Sequence, residues 1–490
     1  MGSKSDRIEG VLLGLAAGDA LGAPYEFQPP RGPGLEVVMA GGSPWEPGEW
    51  TDDTAMAIAI AEVAASGADL RNEAALDSIV ARWFGWFAGA KDVGIQTRSV
   101  LAAAGCGGIS AARARAESAE LHRLSGRSAG NGSLMRTAPV ALAYLNDDDG
   151  LAQAARAISE LTHFDPEAGD ACVLWSTAIR HAVLTAELDV RVGLRHIDSD
   201  RRQLWAERLD AAESARPADF PNNGWVVTAM QAAWSAIATT PVPADDPRAE
   251  VFRADHFRLA LDAAVRAGDD TDTVAAIAGS LLGAAYGASA IPLEWRVLLH
   301  GWPGIRARDL VGLGTAIARG GRPDPFDFSY ADSSVDTLVT HPHDEGVLLG
   351  GIGALRSGAD VGAVVSLCRL ADDDIRPALP HVEVRLIDRV EVDENPHLDL
   401  VLLEAVRAVE RLRADGRTVL LHCVGAYSRT PTVAALYGAR RKHISIEQAL
   451  RDVQAALPES NPNSAFRAAL ARLVPGDAGP CESARRMEVV

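Results

Sequence analysis

The chain carries the same unusual helix start twice. Thr51-Asp52-Asp53-Thr54 leads into Ala55-Met56-Ala57-Ile58-Ala59-Ile60-Ala61, and Gly268-Asp269-Asp270-Thr271-Asp272-Thr273 leads into the Ala-rich apolar run from Val274 to Tyr286. Thr or Asp ahead of an apolar run is a common helix cap, and acids in a first turn suit the helix dipole, so one such segment alone reads as a cap. Two of them constrain the fold. If the two starts converge, at least four carboxylates meet, and like charges that close do not all ionise unless cations neutralise them. The donors are all oxygen, from Asp and Thr, which selects Mg²⁺, Mn²⁺ or Ca²⁺ over Zn²⁺. This many acids suits a carboxylate-bridged pair of ions better than a single one.

At 490 residues the chain exceeds one core, and a prior of roughly 150 residues per domain gives two or three. The net charge of −19 argues against nucleic acid as the main partner, because phosphate backbones need a basic footprint. A small anionic molecule remains open through local neutralisation by metal. The five cysteines (Cys106, Cys172, Cys368, Cys423, Cys481) form no CxxC pair, which points to a reducing compartment with neither a disulfide framework nor a zinc site. Charges at Lys4, Asp6, Arg7 and Glu9, followed by a short run of small and apolar residues, make neither a signal peptide nor a membrane span, so a cytoplasmic protein without a membrane partner is expected.

Residues 7 to 22 have helical apolar spacing with glycine at 10, 14, 18 and 22, a smooth stripe that lets another backbone come close. Asp19, beside the stripe and ahead of the turn at Pro24-Tyr25-Glu26, is placed to point from the helix end towards a ligand. Helical periods follow at Leu70–Phe87, Gln96–Ala104, Ala138–Leu145, Leu151–Leu161, Ala168–Leu184, Val226–Ala238 and Phe257–Ala267, dominated by alanine. The polar stretches Glu187–Asp219 and Pro241–Asp255 are expected as surface excursions with solvated charges. The texture changes at Gly320-Gly321-Arg322-Pro323-Asp324-Pro325, after which strand patterns (Gly362–Cys368, Val382–Ile387, Thr418–His422) alternate with helical ones (Leu398–Arg413, Thr432–Gly438, Ser445–Leu457). The expected architecture is therefore an all-α domain over 1–322 and an α/β domain with a mostly parallel sheet over 329–480.

Five motifs occur in order: Gly18-Asp19-Ala20-Leu21-Gly22, Trp50-Thr51-Asp52-Asp53-Thr54, Gly130-Asn131-Gly132-Ser133-Leu134-Met135-Arg136 with Pro139, Thr162-His163, and Asp270-Thr271-Asp272-Thr273. Together they resemble the ADP-ribosylglycohydrolase family, which includes the enzyme that reactivates ADP-ribosylated dinitrogenase reductase. The resemblance covers about residues 7 to 320. It implies a dinuclear Mg²⁺ site in a central cleft, with Mn²⁺ as an alternative, held by Thr51, Asp52, Asp53, Asp270, Asp272 and Thr273. Asp269 stands where the family usually has glycine and is left out of that set. The implied chemistry is cleavage of the bond between the anomeric carbon of ADP-ribose and an acceptor, through an oxocarbenium-like state that carboxylates stabilise. Asp52 is a catalytic candidate as well as a ligand, and a metal-bound or carboxylate-activated water would attack. Glu26 matches a glutamate that some members place against the scissile bond, beside its ordinary reading as a loop acid. Backbone amides of the Gly-rich stretch Ser128–Ser133 can cradle a pyrophosphate. Asn131, Gly132, Ser133 and Met135 are the substrate-side candidates, and His163, in itself an ordinary structural histidine, becomes a ribose or phosphate contact by the match. Lys91–Arg98 also looks family-like, without an assigned role.

In the second domain the strand Thr418–His422 delivers Cys423-Val424-Gly425-Ala426-Tyr427-Ser428-Arg429-Thr430, and Pro431 opens a helix. Cysteine, five residues, then arginine between strand and helix is what a phosphate cradle with a nucleophile requires: loop amides and the helix start hold phosphoryl oxygens, and arginine grips two of them. The stretch resembles the dual-specificity branch of the protein tyrosine phosphatases over about residues 329 to 480. That resemblance makes Cys423 the nucleophile, Arg429 the phosphate clamp and Thr430 an aid to the leaving thiolate. Ala426 stands where that family usually has glycine, with Gly425 one place early. Two acids qualify as general acid, Asp388 and Asp393, and Asp393 is preferred for its place just ahead of the helix at Leu398. The whole reads as a Mg²⁺-dependent ADP-ribosyl hydrolase acting on a modified protein or small molecule, with an appended phosphatase-like domain that takes a phosphorylated substrate. Alternatives are a binding module in which one domain has lost catalysis, and a phosphatase of a phosphorylated nucleotide sugar or lipid.

Overall fold

Helix Ser3–Gly22 lies against helix Thr271–Tyr286 with no side chain between them along its glycine stripe. A Cβ added at Gly10, Gly14 or Gly18 would fall on the carbonyl oxygen of Gly283, Gly279 or Ala275, and one at Gly22 would fall on the backbone of Asp272. The stripe therefore does what its spacing predicts, and the second helix answers with glycines of its own at 279 and 283. Around this pair the first unit is built of helices. Among its described residues the one strand pairing between named strands is a short antiparallel ribbon, His300–Gly301 with Ile305–Arg306. Helix Asp52–Ala65 and helix Pro166–Thr185 complete the core, each tied by a buried indole: Trp83 Nε1 donates to Met56 O at 3.0 Å and Trp175 Nε1 to Ile277 O at 3.0 Å.

The computed structural model describes residues 3–32, 34–106, 108–322, 335–376 and 378–474. The chain divides into two compact units, Met1–Val242 with Ala254–Asp324, and Pro243–Arg253 with Pro325–Val490. The linker residues Pro323, Asp324 and Pro325, the expected second-domain start at 329, its end at 475–480, and Cys481 lie outside the described residues. No helix among the described residues is long and apolar enough to cross a membrane.

The stretch Glu187–Asp219 is not the surface excursion its composition indicates. It holds a 3₁₀ segment, Arg191–His196, and the helix Ser199–Ser214, whose Trp205, Leu209 and Ala212 are fully buried. Three inward positions at helical spacing suffice to anchor a helix whose remaining face is charged. One of its charges, Arg201, faces inward to pair with the fully buried Asp170 at 2.7 Å, where Arg156 and Trp205 Nε1 also donate. Helix Ala111–Ser125 was likewise hidden, because it buries only the small residues Ala111, Ala114 and Ser118.

The second unit carries a five-stranded sheet in the order Leu338–His341, Asp344–Gly350, Val419–His422, Ala363–Ser366, His381–Glu383. The first pair is antiparallel and the rest are parallel. Helices Leu398–Ala414, Arg429–Lys442, Ile446–Ala456 and Ser464–Leu473 accompany it. The central strand Val419–His422 is buried at every position, as a parallel strand covered on both faces should be, and its C-terminal end delivers Cys423.

Because a methyl group at Gly14 has only backbone to displace, Gly14→Ala should lower the unfolding free energy of the first unit by about 1–3 kcal/mol. Chemical denaturation with separate probes for the two units would read this. An unchanged midpoint would mean that the helix pair is not packed backbone to backbone.

Candidate functional site

The starts of helices Asp52–Ala65 and Thr271–Tyr286 meet, and the two acidic segments face each other. Carboxylate oxygens of Asp19, Asp53 and Asp272 lie within 4.8 Å of one another, as do those of Glu26, Asp270 and Asp272. Thr51 Oγ1 and Thr273 Oγ1, one from each segment, both reach Asp53 Oδ2, at 3.2 and 3.4 Å. Asp53 Oδ1 is buried with no partner among the described residues. An acceptor-only oxygen buried without a donor, among hydroxyls and further carboxylates, is an environment a hard divalent cation would complete. Of the six residues of the implied ligand set, Thr51, Asp53, Asp270, Asp272 and Thr273 meet in this wall, whereas Asp52 Oδ2 accepts from Gly94 N.

Asp19 belongs to the same wall but is turned to another task. Its Oδ1 accepts from Thr51 N at 2.9 Å, and its Oδ2 from Thr54 N at 3.0 Å and Thr54 Oγ1 at 2.6 Å. It thus caps the first acidic helix in place of Thr51, whose own hydroxyl makes no capping bond. Asn131 joins the Gly-rich loop to the second segment, donating to Asp270 Oδ2 at 2.7 Å and to Asn223 O at 2.9 Å. Asn223, missed from sequence, returns the bond by accepting from Asp270 N at 2.9 Å. Its only mark in the sequence is the turn dipeptide Asn223-Gly224. The Lys91–Arg98 stretch gains two contacts. Gly94 N donates to Asp52 Oδ2 at 3.3 Å, and Gln96 Nε2 donates to Ser128 O at 2.9 Å and Thr162 O at 2.8 Å.

Ser133 and Met135 do not face the acid cluster with their side chains. Ser133 Oγ is buried beside Cys172 Sγ at 3.5 Å, and Met135 packs in the apolar core, so a ligand contact at either would run through backbone. His163 is buried, and a Cβ added at Gly130 or Gly132 would lie 3.2 Å from its Nε2. Burial, with help from the nearby Arg136, holds this ring well below the usual histidine range, so it is neutral.

Burial is also the leading reason the acids resist ionisation. It raises Asp19 to about 6, Asp52 to about 7 with help from Asp92, and Glu26 to about 8 with help from Asp270. Asp53 and Asp272 are pushed well above the carboxylate range for the same reason, reinforced by Asp19 and by Asp270 respectively.

In the second unit, Cys423 is buried at the mouth of the loop that runs into helix Arg429–Lys442. Arg429 Nη1 donates to Leu367 O at 3.2 Å and Leu386 O at 3.1 Å, while its Nε is buried without a partner among the described residues. One edge of the guanidinium is thus fixed by backbone and a donor is left over. Thr430 Oγ1 makes only a long bond, 3.5 Å, to Gly350 O. His422 is buried and pushed down to about 4, sharing Ser366 Oγ with His381. The geometry favours the other acid over Asp393. Asp388 Oδ1 accepts from Ser428 Oγ at 2.7 Å and Asn463 Nδ2 at 2.9 Å, which seats it against the cysteine loop, whereas Asp393 is exposed on the turn Val392–Glu394. The chain passes the loop at Asp388 and has left it five residues later. Ala426 has φ +54°, a left-handed backbone that costs a residue with a Cβ about 1–2 kcal/mol.

A helical domain in which two acid-started helices meet beside a glycine-rich loop defines the class. The chain belongs to the ADP-ribosylglycohydrolase family, whose sequence model matches residues 2–319. Similar proteins include ADP-ribosylarginine hydrolase Tri1 of Pseudomonas putida (strain GB-1), 30% identical over 297 residues, 59% of this chain and 73% of the relative. Another is the ADP-ribosyl-(dinitrogen reductase) glycohydrolase of Rhodospirillum rubrum, 30% identical over 307 residues, 60% of this chain and 90% of the relative. The C-terminal part is similar to dual specificity protein phosphatase 1 of Arabidopsis thaliana, 27% identical over 140 residues, 28% of this chain and 68% of the relative.

Two outcomes follow for purified protein. Carboxyls whose folded values lie above their unfolded value of about 4 bind more protons when folded, so their stabilisation is complete below about pH 4 and is lost as pH rises through about 6 to 8. Chelator-treated protein should therefore melt at falling temperature from pH 5 to pH 8 in calorimetry, and Mg²⁺ should flatten that slope. In the second unit, Ala426→Gly should raise stability by about 1 kcal/mol in denaturant titrations; a loss would mean that the left-handed turn is unstrained.

Proposed function

We propose that the first unit is a Mg²⁺-dependent hydrolase of the glycosidic bond between ADP-ribose and an acceptor on a modified protein or small molecule. The observation that carries this reading is the convergence of two helix starts into one wall of buried carboxylates with an unpartnered oxygen on Asp53. Thr51, Asp52, Asp53, Asp270, Asp272 and Thr273 would hold two divalent ions, which supply positive charge for fixing ribose hydroxyls and for ionising water. Glu26, half-buried at the edge of the wall, is placed to take a proton from the attacking water or to return one to the departing acceptor atom. The carboxylates steady the cationic anomeric carbon as the bond breaks. Asn131 keeps Asp270 in register with the glycine loop, whose amides are suited to the pyrophosphate. The name of the Pseudomonas putida relative makes arginine-linked ADP-ribose the first acceptor to assay.

For the second unit the reading is phosphoester hydrolysis. Cys423 Sγ attacks phosphorus, Arg429 Nε meets a phosphoryl oxygen, and Asp388 gives its proton to the departing oxygen, leaving a phosphocysteine for water to cleave.

Release of ADP-ribose from ADP-ribosylarginine should stop with EDTA, return with Mg²⁺ and fall about 100-fold or more in Asp270→Asn. Turnover unaffected by chelation would refute the mechanism. On an aryl phosphate, Asp388→Asn should lose about 100-fold in kcat and Asp393→Asn far less; the reverse order would restore Asp393.

A further inference from the structure

We propose that Arg136 and Thr162 are positioning residues that hold His163 in its Nε2–H tautomer, so that the ring offers one fixed proton donor to a phosphate oxygen lying in the Gly130–Gly132 loop. This rests on the ADP-ribose reading above. The argument begins with an odd charge. Arg136 is fully buried and has no carboxylate within salt-bridge distance among the described residues. Its guanidinium lies 4.1 Å from the centre of the Trp83 ring, touches Met56 Sδ at 3.5 Å, and reaches one oxygen, Thr162 Oγ1, at 2.5 Å. A buried cation without a counter-ion is costly to keep, so what it bonds to needs explaining.

Guanidinium nitrogens only donate, so Thr162 Oγ1 accepts from Arg136. Thr162 is itself fully buried, and the other partner of its hydroxyl is His163 Nδ1 at 2.7 Å. If Nδ1 carried the ring proton, both neighbours would donate to Thr162 and its own hydroxyl proton would have no acceptor in a buried site. The arrangement that satisfies the Thr162 hydroxyl and Nδ1 together runs in one direction: Arg136 donates to Thr162, Thr162 donates to Nδ1, and the ring proton sits on Nε2.

That nitrogen has no hydrogen-bond partner among the described residues, and it faces the loop. A side chain at Gly130 or Gly132 would cover it, which gives both glycines a reason beyond backbone freedom. Gln96 binds the two parts together through its bonds to Ser128 O, at the start of the loop, and Thr162 O, beside the histidine. The result is a donor whose direction is set before the ligand arrives. A neutral donor of fixed tautomer suits an anionic oxygen, which accepts and never donates.

Two variants separate this from packing. Thr162→Val keeps the shape and removes the hydroxyl; Thr162→Ser keeps the hydroxyl and removes a methyl group. In the full-length protein, ring nitrogen shifts of His163, assigned against His163→Gln, should report a proton on Nε2 and none on Nδ1 in wild type and in Thr162→Ser. Thr162→Val should lose that pattern, and ADP-ribose titrated with Mg²⁺ present should bind it about tenfold more weakly than it binds Thr162→Ser. A packing role gives the opposite order. A proton on Nδ1 in wild type, or a folded Thr162→Val that binds as wild type does, would overturn the proposal. Wild-type protein with the Nε2–H pattern but no ADP-ribose binding would overturn the ligand reading and leave the tautomer assignment standing.

Discussion

The site in the first unit depends on one contact, the bare crossing of helix Ser3–Gly22 over helix Thr271–Tyr286. Glycine on both sides lets the axes approach until backbone meets backbone, and the C-terminal end of the first helix then lands on the acidic start of the second. Gly22 touches Asp272 directly and its carbonyl accepts from Thr271 Oγ1 at 3.0 Å. One turn earlier, Asp19 reaches the other acidic start and caps it. A single helix end therefore sets the distance between two segments that share no sequence neighbourhood. Ordinary ridge-and-groove packing would hold helices 8–10 Å apart with side chains between them, and would fill the space the acids occupy.

Holding the acids there has a cost that the fold absorbs locally. Phe27 and Asp269 both adopt left-handed backbone, each with φ +58°, although neither is glycine. They are paired: Phe27 N donates to Asp269 O at 2.6 Å and Asp269 N to Gln28 O at 2.9 Å. Each is followed or preceded by an acid of the cluster, Glu26 on one side of this bridge and Asp270 on the other, so the strained pair brings the two carboxylates to face one another. This also accounts for the glycine usual in the family at position 269, where the backbone is one that glycine adopts freely. The buried acids and the strained bridge act in the same direction, storing instability at the point where a cation and a sugar would relieve it.

What could be read from sequence follows the range of the interaction. The glycine stripe, the Ala-rich helices and the strand that delivers Cys423 are local patterns with a fixed period, and they stand in the structure where their spacing put them. The helix Ser199–Ser214 was illegible because its inward face is three residues among charges, and because Arg201 serves a buried acid instead of water. Asn223 and Gln96 were illegible for another reason. Each acts by bonding backbone of a segment distant in sequence, and an amide side chain carries no sign of which carbonyl it will meet. Asp388 falls between these cases: its type and rough position were legible, but its seat against the cysteine loop needed the course of the chain past Ser428. The ordered family motifs supplied the pairing of the two acidic segments, which no local pattern could.

The two units use helix starts in opposite ways. At Arg429–Lys442 the helix start is occupied by arginine behind a cysteine loop, so the positive end of the dipole, the guanidinium and the loop amides all favour an incoming phosphate. At Asp52–Ala65 and Thr271–Tyr286 the same dipole ends are taken up by the protein's own carboxylates. An anion approaching them meets the protein's own carboxyl oxygens first, and the helix ends have little positive potential left to offer it. A cation is what such a pair of starts attracts, and the anionic part of a substrate must be received elsewhere, by groups that are neutral donors. On the function proposed above, the Gly130–Gly132 loop with His163 beside it would be that place: it carries no acid of its own, and Asn131 links it to the carboxylate wall through a bond to Asp270. On that proposal, an acidic wall would serve cation and sugar and a neutral loop the phosphate, because of which helix ends the acids already occupy.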